Sequence, residues 1–300
     1  MSSARKNNRG KYQGGFTLAE IAIVTLILGL MVVGVLGALT NQINQGRVSA
    51  TQRQLEEIRE SLLGFAAQTG YLPCPDTDGD GIEDAPNRNL ATPLTCASVE
   101  GYLPWVTLGV PQTDAWGIRF RYRIKDEYAR PSAANSPIVG GVTPIAGCVA
   151  TAGVTEPALP SPAADPNNCT LDIQDTGDIQ INTRGGATGK SAVTLAGGSA
   201  TSGIGIPVVI MSFGKNGSGG FDAFGNQRLP LPPATTDENL NYTVTAAGAQ
   251  RVFVSRISKD VDRDCTEAVG PGPLCEFDDI VTWISAPLLI SKLIQANRLP

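Results

Sequence analysis

The chain has 300 residues, rich in glycine (34) and proline (21), sparse in aromatic and charged side chains, with a formal net charge of −5. That length can bury a sizeable core, and an acidic body repels nucleic acid rather than collecting it. Histidine is absent, which removes the commonest general base and metal ligand and argues against an enzyme.

The first fifteen residues carry Arg5, Lys6, Arg9 and Lys11 and no acid. Apolar residues follow from Phe16 to Leu39, interrupted by Thr17, Glu20, Thr25 and small residues. A helix of that length rises about 36 Å, enough to span a bilayer core of roughly 30 Å. A cleaved secretory signal starts with the same basic stretch, but this apolar run is longer than an ordinary h-region and no A-x-A site follows it. Val48, Thr51, Leu55, Ile58, Leu62 and Phe65 then recur at steps of three and four, with no proline before Pro73. The spacing predicts one helix from Phe16 to about Gly70. The positive-inside rule leaves residues beyond about 40 outside the cytoplasm. The cysteines agree, since all six lie beyond residue 70. With no CxxC and no histidine to complete a zinc site, they read as disulfides in an oxidising compartment. Sequential pairing gives Cys74–Cys96, Cys148–Cys169 and Cys265–Cys275, one of the fifteen connectivities six cysteines allow.

The basic leader, Gly15, Phe16-Thr17-Leu18, Glu20 and the apolar helix together resemble the processing signal of type IV pilins and type II secretion pseudopilins. The resemblance covers roughly the first sixty residues. It implies that a prepilin peptidase cuts between Gly15 and Phe16 and methylates the new amino terminus of Phe16. It also implies polymerisation through the helix, with the Glu20 carboxylate meeting the Phe16 amine of a neighbouring subunit. Such a pairing removes the cost of an unanswered buried charge. The alternative is a carboxylate snorkelling at a membrane surface.

In "GYLPCPDTDGDGIEDAP", Gly70 and Pro73 end the helix, and the segment resembles the turn that leads into pseudopilin heads. Asp76, Asp78, Asp80 and Asp84, with the Ile82 carbonyl, fit a D-x-D-x-D-G-x-x-D loop able to wrap calcium. Asn87 stands where an EF-hand carries its last acid, and the other reading is a solvated acidic loop pinned by Cys74–Cys96. Next, "DAWGIRFRYRIK" alternates Ile118, Phe120, Tyr122 and Ile124 with Arg119, Arg121, Arg123 and Lys125, a half-buried strand. Its cations are expected to face solvent or an acidic neighbouring subunit. Residues 131–203 read as long surface loops around Cys148–Cys169, with one strand-like island, "LDIQDTGDIQIN". "RGGATGKSA" fails as a phosphate loop because Arg184 occupies the place of the first glycine. The last third holds two strands, in "IPVVIMSFGKNGSGGFDAFG" and "RVFVSRI". "SFGKNGSGG" and "FDDIVTWIS" resemble the calcium-enclosing end of the major pseudopilin, which makes Asp222, Asp278 and Asp279 a second calcium set by analogy. Asp260, Asp262 and Asp264 add further acids. "PLLISKLIQANRL" predicts a short amphipathic helix packed on the sheet.

The expectation is therefore an α+β chain with three parts: a leader at 1–15, a transmembrane and filament-core helix at 16–70, and a head at 71–300. The head is expected to carry an antiparallel sheet and long disulfide-pinned loops. The implied function is a structural subunit of a pilus or secretion pseudopilus, anchored in the bacterial inner membrane before assembly and not catalytic. Its implied partners are other pilin subunits, the peptidase and an inner-membrane assembly platform, with calcium and no organic cofactor. The alternative is an adhesive tip pilin whose large head binds DNA or a surface.

Overall fold

The computed structural model describes residues 15, 17–86, 96–129, 179–185, 190–197, 206–245, 250–259, 265–269 and 272–296, with the backbone alone at 32–41 and 126–127. Phe16, Cys148, Cys169, Asp260, Asp262 and Asp264 lie outside the described residues. The chain divides into two compact units, Met1–Gly46 and Arg47–Pro300. The elements run α1 (Leu18–Thr69), β1 (Glu100–Tyr102), α2 (Trp105–Leu108), β2 (Arg121–Ile124), β3 (Ile179–Gly185), β4 (Ser191–Gly197), β5 (Val208–Ser212), α3 (Asp237–Tyr242), β6 (Arg251–Val254), β7 (Ile280–Ile284) and α4 (Ala286–Gln295).

The division between units falls inside α1. In the first unit the helix begins with a reciprocal cap. Thr17 donates its N–H (2.8 Å) and hydroxyl (2.9 Å) to Glu20, and the Glu20 N–H donates to the Thr17 hydroxyl at 3.3 Å. Thr17-Leu18-Ala19-Glu20 is thus a capping box, satisfying donors that a helix start leaves open. The described apolar side chains beyond it, Leu18 and Ile21 through Met31, are exposed.

The expected transmembrane helix is overturned: among the described residues no helix is long and apolar enough to cross a membrane.

In the second unit α1 ends at Gly70, whose φ of +89° suits a residue without Cβ and whose N–H donates back to the Ala66 carbonyl at 2.7 Å, a left-handed helix stop. One sheet has the order β1-β2-β5-β7, all antiparallel. One of its faces packs Phe120, Tyr122, Ile124, Val208 and Ile210 against Leu55, Ile58 and Leu62 of α1 and Leu289 and Leu293 of α4. The other face packs Ile118, Val209, Met211 and Phe213 against Ile179, Ile181 and Phe253. Those three belong to a second sheet of order β4-β3-β6. Central β5 is buried along its whole length, which is why Val-Val-Ile-Met shows no alternation.

Two further expectations are corrected. The strands do not form one antiparallel sheet, because β3 pairs parallel with β6 (Ile179 beside Arg251, Phe253 beside Ile181). Residues 131–203 hold more than the one expected island: β3 overlaps its end at Ile179–Asn182, and β4 is a strand the sequence reading lacked, built from Ser-Ala-Val-Thr-Leu-Ala-Gly, whose small residues give a weak strand signal. Two disulfides, Cys74–Cys96 and Cys265–Cys275, pin loops of this unit.

Candidate metal centre

The cationic face of β2 is covered rather than wet. Arg123 is fully buried, and Arg119 and Lys125 are buried too: Arg121 and Arg123 reach the end of α3 and the chain just beyond it, and Arg119 lies over the Tyr102 and Trp105 rings. Glu100 on β1 answers the charges: Arg251 reaches its carboxylate at 3.0 Å, Arg121 at 2.9 Å and Arg123 at 3.4 Å. Burial alone pushes Glu100 up, but Arg251 and then Arg121 outweigh it and hold the carboxyl below its usual range. The guanidiniums also saturate the end of α3. Arg251 donates to the carbonyls of Leu240 and Asn241, Arg121 to Tyr242 and Arg123 to Thr245. Cations belong at that end of a helix, where carbonyls are left unpaired.

On the far side of α3 the two acids of its first turn, Asp237 and Glu238, meet different company. Thr236 caps the helix by accepting from the Asn239 N–H, which sends consecutive acids to different partners. Asp237 meets Arg184 and Arg256. Glu238 meets Asp278 and Asp279, and one carboxylate oxygen from each of the three lies within 4.8 Å of the others. The Asn216 N–H donates to Asp278 at 2.7 Å, its side-chain amide to Glu238 at 3.2 Å, and the Asn241 amide to Asp279 at 2.8 Å. The Asp278 Oδ1 is buried with no hydrogen-bond donor among the described residues. Gly214, at φ +62°, lets the backbone pass: a Cβ there would sit 2.1 Å from the Asp278 carbonyl oxygen.

Burial, followed by the repulsion of Glu238, pushes the Asp278 carboxyl up to about 7. Asp279 is driven well above its ordinary value by burial and the Glu238 charge, and burial raises Glu238 itself. Three such carboxylates have two options. They hold protons, or they hold a cation that neutralises them. The cluster is able to bind a metal ion through oxygen alone.

The first predicted loop is assembled differently. Asp76, Asp78 and Asp84 converge within the same distance. However, Asp76 already accepts from the N–H groups of Gly79 (2.6 Å) and Gly81 (2.9 Å), and Asp84 from Thr77. Asp80 turns aside to accept from the Ile82 N–H at 2.7 Å. A protein cation also leans on the loop: the Arg119 guanidinium lies 2.2 Å from where a Gly79 Cβ would be. Asp222 does not join Asp278 and Asp279. It closes its own turn, accepting from the N–H groups of Phe224 and Asn226, both at 2.9 Å, and those bonds hold its carboxyl low.

Sequence reasoning missed Glu238 and Asn216. The pattern Thr236-Asp237-Glu238 signals a helix start but not which acid turns inward. Arg184 and Lys190, in the stretch that superficially resembles a phosphate loop, serve ion pairing and packing: Arg184 binds Asp237, and the Lys190 ammonium donates to the Thr266 carbonyl at 3.0 Å. The chain matches no protein-family model, and neither a curated protein nor a solved structure matches it.

Proposed function

We propose that the chain is a structural subunit of a pilus or secretion pseudopilus, cut after Gly15 by a prepilin peptidase and assembled with related subunits through α1. The head works outside the cytoplasm as a folded, non-catalytic body. The observation that carries this reading is the junction Gly15-Phe16-Thr17-Leu18-Ala19-Glu20 leading straight into a 52-residue helix whose first described apolar side chains are exposed. Such a row of unburied Leu, Ile and Val is a surface awaiting partners. The disulfides support a head in an oxidising compartment.

The capping box sharpens the role of Glu20. Its carboxylate already serves Thr17 within the chain, so removing it affects both the cap and any pairing with a neighbour's amine. Glu20→Gln keeps an acceptor for the cap and deletes only the charge. Coexpressed with a peptidase and assembly machinery, Glu20→Gln is expected to be processed to a chain starting at Phe16 and then left out of filaments. Normal incorporation of Glu20→Gln, with Glu20→Ala excluded, makes the acid a cap and retires the charge pair. A mature terminus anywhere other than Phe16 retires the subunit reading.

The ion proposed for Glu238, Asp278 and Asp279 is calcium, a hard cation that takes carboxylate and carbonyl oxygens in irregular geometry. Its role is to hold the turn after β5, the start of α3 and the start of β7 together. Calcium should raise the melting temperature of chelator-treated full-length protein. An unchanged melt with calcium in excess removes the proposal.

A further inference from the structure

A sheet edge offers a row of backbone donors and acceptors on which another chain can lay a strand, so proteins blunt their edges. Three of the four edges here are managed. The outer side of β1 is closed by Asp76, whose N–H donates to the Tyr102 carbonyl (3.0 Å) and whose carbonyl accepts from the Tyr102 N–H (2.7 Å). At β6 the Asn241 side chain donates its amide to the Val254 carbonyl at 3.0 Å and accepts from the Val254 N–H at 2.7 Å. β4 is bulged: its register with β3 steps from Thr194 to Ala196 and skips Leu195, which twists an edge away from a partner.

β7 has none of these protections. Ile-Val-Thr-Trp-Ile carries no charge and no proline, and its register with β5 is unbroken from Ile280 beside Ser212 to Ile284 beside Val208. Its backbone pairs with β5 alone among the described residues. The helix that follows is open as well. Ala286, Leu289 and Leu293 of α4 turn into the core. Pro287, Ile290, Ser291, Ile294 and Gln295 line a groove to which no other element contributes among the described residues, and Ile294 is 49% exposed. An ordinary surface helix has one apolar stripe; α4 has a second.

We propose that β7 and the open flank of α4 form one self-pairing surface, on which a second copy of this chain adds its own β7 antiparallel about a two-fold axis at Thr282. That operation sets Ile280 against the partner's Ile284, Val281 against the partner's Trp283, and Thr282 against the partner's Thr282. The faces agree. Ile280 and Ile284 pack on the core cluster under α1 and α4, Val281 and Trp283 on the cluster under the second sheet, and an axis normal to the sheet keeps each face beside its like. Sheet continues into sheet and helix layer into helix layer. Because α4 runs on from the edge strand and α1 does not line its open flank, the same axis brings the two grooves to one seam. A foreign strand would pair with the edge and leave the groove uncovered, whereas a second copy closes both with one patch.

Charge favours the same arrangement. Asp278 and Asp279 stand just before β7, and antiparallel pairing lays that end beside the partner's Ser285 and the partner's Ala286. There α4 begins, its dipole is positive, and Ser285 supplies no side-chain cap. Parallel pairing would lay acid beside acid. One short strand pair and one helix seam make a small interface, so the association depends on concentration. It does not rest on the filament reading.

The test uses the full chain in detergent micelles, so that the exposed residues of α1 do not drive association. Sedimentation of the parent should show a monomer–dimer equilibrium. Ile294→Glu, at an exposed position, should raise the dissociation constant about tenfold or more by setting charge in the apolar seam. Under mild oxidation Thr282→Cys should link to itself above the background of the parent. Ser285→Cys, exposed but away from the axis, should not. An unchanged thermal melt for each variant shows that the fold survives. A parent that stays monomeric, or absence of the Thr282→Cys dimer in a folded protein, overturns the proposal. So does a Ser285→Cys dimer of equal yield, because it marks association without this register, and so does a dimer that Ile294→Glu leaves unchanged, because α4 then takes no part.

Discussion

Two buried charge clusters flank the same short helix, and they are built on opposite principles. At the C-terminal end of α3, a single carboxylate, Glu100, receives three guanidiniums whose remaining donors are spent on the carbonyls that the helix leaves open. At the N-terminal end, Glu238, Asp278 and Asp279 share one small space with, among the described residues, amide donors only, and one oxygen of Asp278 has no donor among them. Asn241 joins the two, its carbonyl accepting from Arg251 and its amide donating to Asp279. The lesson is that burial does not by itself say what an acid is for. The first cluster is complete within the chain and serves cohesion. The second has no cation in contact with it among the described residues, and its three acids are able to bind a metal ion.

The largest effect expected from breaking this contrast is at Glu100. Glu100→Gln removes the only carboxylate that contacts Arg251 and Arg121 among the described residues, while leaving both guanidiniums in place. Deleting one member of a buried ion cluster costs about 3–5 kcal/mol. Urea unfolding of the variant should show a loss of that size, and a loss under about 1 kcal/mol would mean that the helix carbonyls alone satisfy the arginines.

The acid trio should answer in the opposite sense. Asp278→Asn removes a charge that burial disfavours, so at neutral pH the metal-free variant should be more stable than the parent, by roughly 1–3 kcal/mol on the scale of buried polar groups. It should also lose any response to calcium. If instead Asp278→Asn weakens the metal-free protein, the trio is held together by shared protons. The pH dependence has a definite sign. Asp278 titrates at about 7 when folded against an ordinary 3.8, so the folded state holds a proton that the unfolded chain has released across that window. Its stabilisation is full below about 3.8 and is lost as pH rises to about 7. Glu100 runs the other way: its lowered carboxyl stabilises above the ordinary 4.5 and loses that contribution as pH falls below it. In chelator, the melting temperature should therefore decline from pH 5 to pH 7, and calcium should flatten that decline. A chelated protein with no such decline would show that the trio does not hold protons.

Much of this was readable in the sequence, and the failures share a cause. Steps of three and four carry α1 to its end, and Gly70 stops it where the spacing predicts. Those signals are local, as are the apolar run of β5 and the amphipathic α4. The alternation along Arg119–Lys125 is also local and fixes a strand there. It says that two faces differ, but it is silent on whether a second sheet covers the polar one. Here Glu100, 21 residues from Arg121, and Arg251, 151 from Glu100, make that face interior. The trio failed in the same way. Asp278 and Asp279 are adjacent in sequence, but Glu238 is 40 residues from Asp278, and nothing in the spacing prefers it to Asp222. The Thr17–Glu20 cap lies within four residues and was fully legible. The same glutamate also fits an intermolecular role, and the sequence alone does not rank the two.

The smallest expected effect isolates burial from contact. Arg59 and Glu56 on α1 approach to 3.1 Å, almost the 3.0 Å between Arg251 and Glu100, but their side chains are 30% and 57% exposed. If contact distance set the energy, Glu56→Ala would cost as much as breaking the Glu100 cluster. Water competes for both exposed groups, salt screens them, and holding two long side chains in one geometry costs entropy, so such pairs are worth about 0.2–1 kcal/mol. Urea unfolding of Glu56→Ala should stay within about 0.5 kcal/mol of the parent, and the small difference should shrink further in high salt. A loss approaching that of Glu100→Gln would mean that this face of α1 is covered in the working protein. The residue would then belong with the buried charges, and the contrast between the two ends of α3 would need a third, intermolecular case beside it.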